Sequence, residues 1–220
     1  MTTIKEIDAD IRAHHLLKHP FYTAWSRGEI ALPTLANYAR QYYQFESNFP
    51  RYVAATYARL SDPSQRRALL DNLVDEEGRS PTHPEMWLDF AAAVGASARS
   101  VQSARPGPAT QHLLDLYERA TLQGSAASGL GALYAYESIF PEVAAEKSRG
   151  LRSHYGIRSK AAHEFFRVHS VADVAHSAAE RRVMGTLIRE SPEAALTMRA
   201  EARRSMRGWW SFLDSFGVAP

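Results

Sequence analysis

The chain reads as all-α. Apolar residues recur with the 3.6-residue helical period along almost every segment, and no stretch alternates between turn signals as a half-buried strand would. Proline and glycine supply the punctuation. Helices are expected over residues 4–15, 33–60 with an interruption at Pro50, 63–77, 84–94, 110–123, 125–148, 159–168, 171–189 and 192–216. Prolines sit at or near several starts, where a missing N–H costs little, and Gly78, Gly95, Gly124 and Gly150 sit near ends. No internal repeat is expected. The one linker-like stretch, residues 97–108, is too short to separate domains, so residues 1–220 should form a single helical domain.

At 220 residues the chain can bury a substantial core without disulfides or structural zinc. It has no cysteine, which excludes a thiolate nucleophile, an iron–sulfur cluster and Cys-ligated zinc. His, Asp, Glu and neutral oxygen donors remain as strong ligands. A net charge of +2, from 26 basic and 24 acidic residues, gives no general attraction to nucleic acid. The cluster Arg199, Arg203, Arg204 and Arg207 reads as a solvated helix face. The first residues carry Glu6, Asp8 and Asp10 and lack a signal-peptide core, and the longest uncharged run, 120–136, is too short and too rich in Gly and Ser to cross a bilayer. A soluble cytoplasmic protein without membrane contact is expected.

The segment after Pro33 carries an aromatic stripe, Tyr38, Tyr42, Phe45, Phe49 and Tyr52, which reads first as core packing. The hydroxyls of Tyr38 and Tyr42 nonetheless need partners if buried, which a polar cavity would provide. The last helix, with Met198, Met206, Trp210 and Leu213 on one side, reads as a packing element.

Six residues in three segments carry the chemistry. Glu76 and His83 are seven apart with Gly78 and Pro81 between them, so they flank a helix break and can reach one centre from either side; alone they would pass for a surface pair. Glu137 follows eight uncharged residues, 129–136, and a carboxylate there needs a metal or an ion-pair partner such as Lys147 or Arg149. His169, Asp173 and His176 lie at i, i+4 and i+7, one narrow arc if the helix is continuous. Ser170-x-x-Asp173 also resembles a helix start, which would leave His169 just outside it. Two histidines and a carboxylate on one face are the ligand type of non-haem iron with open positions.

Together, three carboxylates and three imidazoles from an all-helical chain match dinuclear iron or manganese sites built inside bundles, with zinc still possible. His14, His15, His19, His112, His154 and His163 lack such a context and read as surface or core histidines.

These residues resemble a known family, the Chlamydia protein associating with death domains and its bacterial relatives, among the haem-oxygenase-like dimetal oxidases whose fold PqqC and TenA proteins share. The resemblance runs through His19-Pro20-Phe21-Tyr22 with Trp25, the segment 38–51 ending Phe-Pro-Arg, Asn72-Leu73 to Glu77, His83-Pro84, Tyr134-Ala135-Tyr136-Glu137, Pro141-Glu142, Lys147, Gly150-Leu151 and His169 to His176. It implies a haem-oxygenase-like bundle and metal ligands at Glu76, His83, Glu137, His169, Asp173 and His176, holding an Fe/Fe or Mn/Fe pair. It further implies a self-sacrificing para-aminobenzoate synthase supplying folate, driven by dioxygen and a reductant: Tyr22 gives the ring, Lys147 the amine, and Tyr38 lies near the site. On their own residues, Tyr22 would be an ordinary aromatic and Lys147 a solvated or paired side chain. A homodimer is implied as well.

Several rivals stand beside this reading. A dimetal relative could oxidise an external small amine, amino acid or fatty acid. PqqC relatives work without metal, TenA-type thiaminases need a cysteine, and a haem oxygenase would use an N-terminal histidine and leave the six ligands unexplained. The non-enzymatic rival is a death-domain-binding effector.

Overall fold

The computed structural model describes residues 2–78 and 80–218. Helix accounts for 81% of the described residues, with no strand among them. In order run α1 (Ile4–Ala13), α2 (Pro20–Arg27), α3 (Leu32–Glu46), α4 (Phe49–Ala58), α5 (Pro63–Glu77), α6 (His83–Ala93), α7 (Ala98–Gln102), α8 (Pro108–Glu118), α9 (Ala126–Glu137), α10 (Phe140–His154), α11 (Lys160–Glu190) and α12 (Pro192–Asp214). A short 3₁₀ turn, Leu16–Lys18, precedes α2, and a π-helical turn, Arg119–Gln123, follows α8. Among the described residues no helix is long and apolar enough to cross a membrane.

The bundle is built around α9. Every residue from Ala127 to Glu137 is buried, and α4, α11 and α12 pack against it. Two glycines permit that closeness: a Cβ at Gly129 would collide with Thr56, and one at Gly131 with the Met198 carbonyl. Because α9 is enclosed on all sides it is apolar all round, so its Glu137 stands out chemically.

Four expectations are corrected. Helix α2 was not foreseen, because two turns are too short to display a period; His19 accepts from the Phe21 N–H, Pro20 starts the helix, and Gly28, at φ 73°, ends it. The stretch 97–108 holds α7, capped by Ser97. The expected helix 125–148 is two helices, since Pro141 lacks an N–H and its ring clashes with the carbonyl of Glu137 four residues back. Conversely, the expected helices 159–168 and 171–189 are one. Ser170 does not start a helix but donates its hydroxyl to the Arg167 carbonyl at 2.8 Å within α11, which runs about 46 Å at 1.5 Å per residue.

A short internal repeat also escaped the sequence reading. Phe45-Glu46-Ser47-Asn48-Phe49-Pro50 and Tyr136-Glu137-Ser138-Ile139-Phe140-Pro141 form matching turns. Glu46 ends α3 and Glu137 ends α9; the following serines share φ −67°, with ψ −15° and −20°. The next residues have φ −99° and −112°, ψ −13° and −14°. The break near Pro50 was therefore expected, but it falls at Ser47–Asn48, where proline forces it.

Candidate metal centre

Five helices bring acids and imidazoles to one buried region. The C-terminal ends of α3, α5 and α9 supply Glu46, Glu76 and Glu137, the start of α6 supplies His83, and α11 supplies His169, Asp173, His176 and Glu180. All eight are buried. The unbroken α11 aligns its four donors at i, i+4, i+7 and i+11 on one face.

Two tight groups form within this region. Glu46, Glu76, His83 and His169 each offer a ligand atom within 4.8 Å of the others, and so do Glu76, Glu137 and His176. Glu76 belongs to both, so its carboxylate lies where the two groups meet. Asp173 falls in neither group; its Oδ1 is 3.6 Å from His176 Nδ1. Glu46, Glu180 and Asp75 were not singled out from sequence. The repeated Glu-x3-Pro turn would have flagged Glu46, and an extension of the α11 arc by one turn would have flagged Glu180.

The histidine rings are oriented by neighbours. His169 Nδ1 lies 2.9 Å from the Phe165 carbonyl and can only donate there, which leaves Nε2 with its lone pair, 4.0 Å from Glu46 Oε1. His176 Nε2 lies 3.1 Å from Asp75 Oδ2, leaving Nδ1 to face Glu137 at 3.4 Å. His83 Nδ1 is 2.8 Å from Glu76 Oε2, and the Asn72 amide donates to Glu137 Oε1 at 2.8 Å. A carboxylate that fixes the far nitrogen of a ligating imidazole is the usual support of a metal site.

Electrostatically the carboxylates of the cluster outnumber its cations. Glu46 Oε1, Glu76 Oε1, Glu137 Oε2, both oxygens of Asp173 and of Glu180, and His176 Nδ1 are buried without hydrogen-bond partners. Burial, reinforced by neighbouring carboxylates, pushes Glu46, Glu76 and Glu180 well above the ordinary range and Asp173 up to about 8. Burial alone would lower His176, but Asp173 and Glu137 raise it to about 11. Burial lowers His83 and pushes His169 well down, so both imidazoles are neutral. The donor set therefore fits divalent metal: oxygen and nitrogen ligands, lone pairs aimed inward, and unsatisfied negative charge.

Lys147, on α10, does not neutralise the acids. Its buried amine has no hydrogen-bond partner and sits among aromatic rings: Tyr42 at 4.5 Å, Phe140 at 4.9 Å, Tyr22 and Tyr38 at 5.3 Å, measured to ring centres. Burial holds its pKa well below the usual lysine range, so the amine carries a free lone pair. The hydroxyls of Tyr22 and Tyr38 are hydrogen-bonded at 2.8 Å, and burial raises both phenols. Arg149, the other expected partner of Glu137, pairs with Glu146 instead. Tyr42 and Tyr136 join hydroxyls across the core, so the expected partner of Tyr42 is another tyrosine.

An all-α bundle of this kind, here enclosing a carboxylate–imidazole cluster, defines a class, the helical haem-oxygenase-like fold. The model of a family described as "Iron-containing redox enzyme" matches residues 36–210. The 4-aminobenzoate synthase of Chlamydia muridarum is 37% identical over 216 residues, covering 98% of this chain and 90% of that one. A TenA homologue from Pseudomonas syringae pv. tomato superposes with TM-score 0.85 at 17% identity, covering 98% of this chain and 92% of that one. A CADD-like protein from Nostoc punctiforme superposes with TM-score 0.77 at 18% identity, covering 98% and 97%. The chain belongs to the iron-containing redox enzyme family, and its fold is haem-oxygenase-like, as the resemblance implied.

Proposed function

We propose that this chain is a dimetal, oxygen-dependent 4-aminobenzoate synthase that consumes its own Tyr22, with Lys147 as the amine donor. One observation carries the reading. A neutral, unpartnered amine is walled in by the rings of Tyr22 and Tyr38, whose hydroxyls are hydrogen-bonded to each other, beside a buried carboxylate–imidazole cluster. The relatives named 4-aminobenzoate synthase support the product. That product bears carboxyl and amino groups para across a ring, as tyrosine bears Cβ and its hydroxyl.

The residues that would hold the metal are Glu76, His83, Glu137, His169, Asp173 and His176, with Glu76 common to both donor groups. An Fe/Fe or Mn/Fe pair, with dioxygen and a reductant, would supply the oxidising power. The chain's own residues do the rest. The ring cage keeps water from Lys147 and its lone pair available for bonding to the aromatic ring. Tyr38 fixes the Tyr22 ring by the hydrogen bond between their hydroxyls. Cleavage of the Tyr22 Cα–Cβ bond and of the Lys147 Cε–Nζ bond would free the aminated ring, with the phenolic oxygen leaving as water and Cβ oxidised to the carboxyl at the expense of dioxygen and the reductant. All 220 residues act as one domain in this reading, in the cytoplasm and as a homodimer.

Metal-loaded protein carrying ring-labelled tyrosine and ¹⁵N-lysine, exposed to oxygen and reductant, should release doubly labelled 4-aminobenzoate in at most one equivalent. Product without the ring label would point to an external substrate. No product under any metal loading, with host death-domain binding retained in a Glu76→Ala, His169→Ala variant, would favour the effector reading.

A further inference from the structure

The two Glu-Ser-x-Phe-Pro turns are equivalent in sequence and backbone, and they face each other. Phe45 packs on Tyr136 with ring centres 5.2 Å apart, and Phe49 on Tyr136 at 5.5 Å. Within each turn the aromatic before Glu stacks on the Phe four residues later, Phe45 on Phe49 at 5.6 Å and Tyr136 on Phe140 at 4.7 Å. Proline at the fourth position after each Glu ends the helix there, so each Glu occupies the last helical residue. One turn delivers Glu137 to the group with Glu76 and His176; the other delivers Glu46 to the group with Glu76, His83 and His169.

Resting on the metal reading above, we propose that Glu46 is a seventh protein ligand, the counterpart of Glu137, binding the ion held by His83 and His169. Its Oε1 is buried, has no hydrogen-bond partner and faces the lone-pair nitrogen of His169 at 4.0 Å, a separation that a shared ion spans and a hydrogen bond does not. With Glu46 added, Glu46, Glu76, Glu137 and Asp173 give the two ions four carboxylate ligands beside the three imidazoles. Each ion then has one glutamate of its own and shares Glu76.

The test is an equilibrium Mn²⁺ titration of metal-free protein, with free Mn²⁺ read by electron paramagnetic resonance, alongside the visible absorption of the Co²⁺-loaded form. The parent should bind two ions. Glu46→Gln, close in size, should keep one at parental affinity, weaken the other at least about tenfold, and shift the Co²⁺ bands of the weakened site. Glu46→Asp retains the charge but withdraws it by one methylene, and should weaken the same ion. Glu137→Gln should weaken the other. Two ions bound by Glu46→Gln with parental affinity would overturn the assignment, as would weakening with unchanged Co²⁺ bands, which places Glu46 outside the coordination sphere. A parent that takes up no ion would instead overturn the metal reading, and the role of Glu46 with it.

Discussion

The core holds two neighbouring regions that solve burial in opposite ways. The carboxylate–imidazole cluster gathers more negative lone pairs than the protein can satisfy, whereas the cage around Lys147 surrounds one amine with rings that offer it no acceptor. Lys147 is close enough to feel the charge of Glu46, yet it makes no ion pair with any acid. An ordinary buried core would have joined them, since pairing relieves both. Their separation fits the proposed function, in which the acids await a cation and the amine an electrophilic ring.

The contrast is broken most completely at Lys147. Lys147→Arg puts a permanent cation in the cage and cannot present a neutral lone pair, so 4-aminobenzoate should vanish by mass spectrometry while metal content stays at the parental level. On the other side, Glu76→Gln should weaken both ions, because Glu76 belongs to both groups; each dissociation constant should rise at least about tenfold in the Mn²⁺ titration.

The charge imbalance of the cluster sets a pH dependence in the metal-free protein. Asp173 is raised from 3.8 to about 8 on folding, so the folded state binds more protons; the stability this gives is present below pH 4 and lost as pH rises towards 8. His176, raised from 6.5 to about 11, acts in the same direction above neutrality. Metal-free protein should therefore melt at a higher temperature at pH 5.5 than at pH 8 in calorimetry, and metal loading should remove or reverse the difference. On the amine side, Lys147→Met removes an unpartnered buried polar group and should raise stability in urea by about 1–3 kcal/mol. Away from both regions, Arg181, half-exposed and paired with Asp8 at 2.7 Å, should matter least; Arg181→Ala should change stability by less than about 1 kcal/mol and leave product yield unchanged.

Much of this was legible in the sequence, for physical reasons that differ by element. Long amphipathic helices such as α12 display their period over many turns, and Glu137 stands out because its helix is apolar on every side. Helix α2, with only two turns, displays no period at all. Ser170 illustrates a second kind of ambiguity: the same hydroxyl can cap a helix or bond back within one, and only the surrounding packing decides. Glu46 was hidden by the aromatic stripe around it, which reads as packing, although the turn that follows matches the one after Glu137. The ring cage could not be read because Tyr22, Tyr42, Phe140 and Lys147 come from three helices whose mutual packing no local pattern encodes.

Tyr22 is almost wholly buried, packed on Phe21 and Trp25 and bonded to Tyr38. A reaction that excises its side chain therefore hollows the core that holds the chain together. Emptying a large aromatic site typically costs about 3–5 kcal/mol, against about 5–15 kcal/mol of stability in a typical domain. A spent molecule would populate its unfolded form roughly a hundredfold or more above a fresh one, enough for proteases to tell the two apart. Single use would thus carry its own disposal signal, clearing exhausted copies without any tag and tying the protein's lifetime in the cell to whether it has fired.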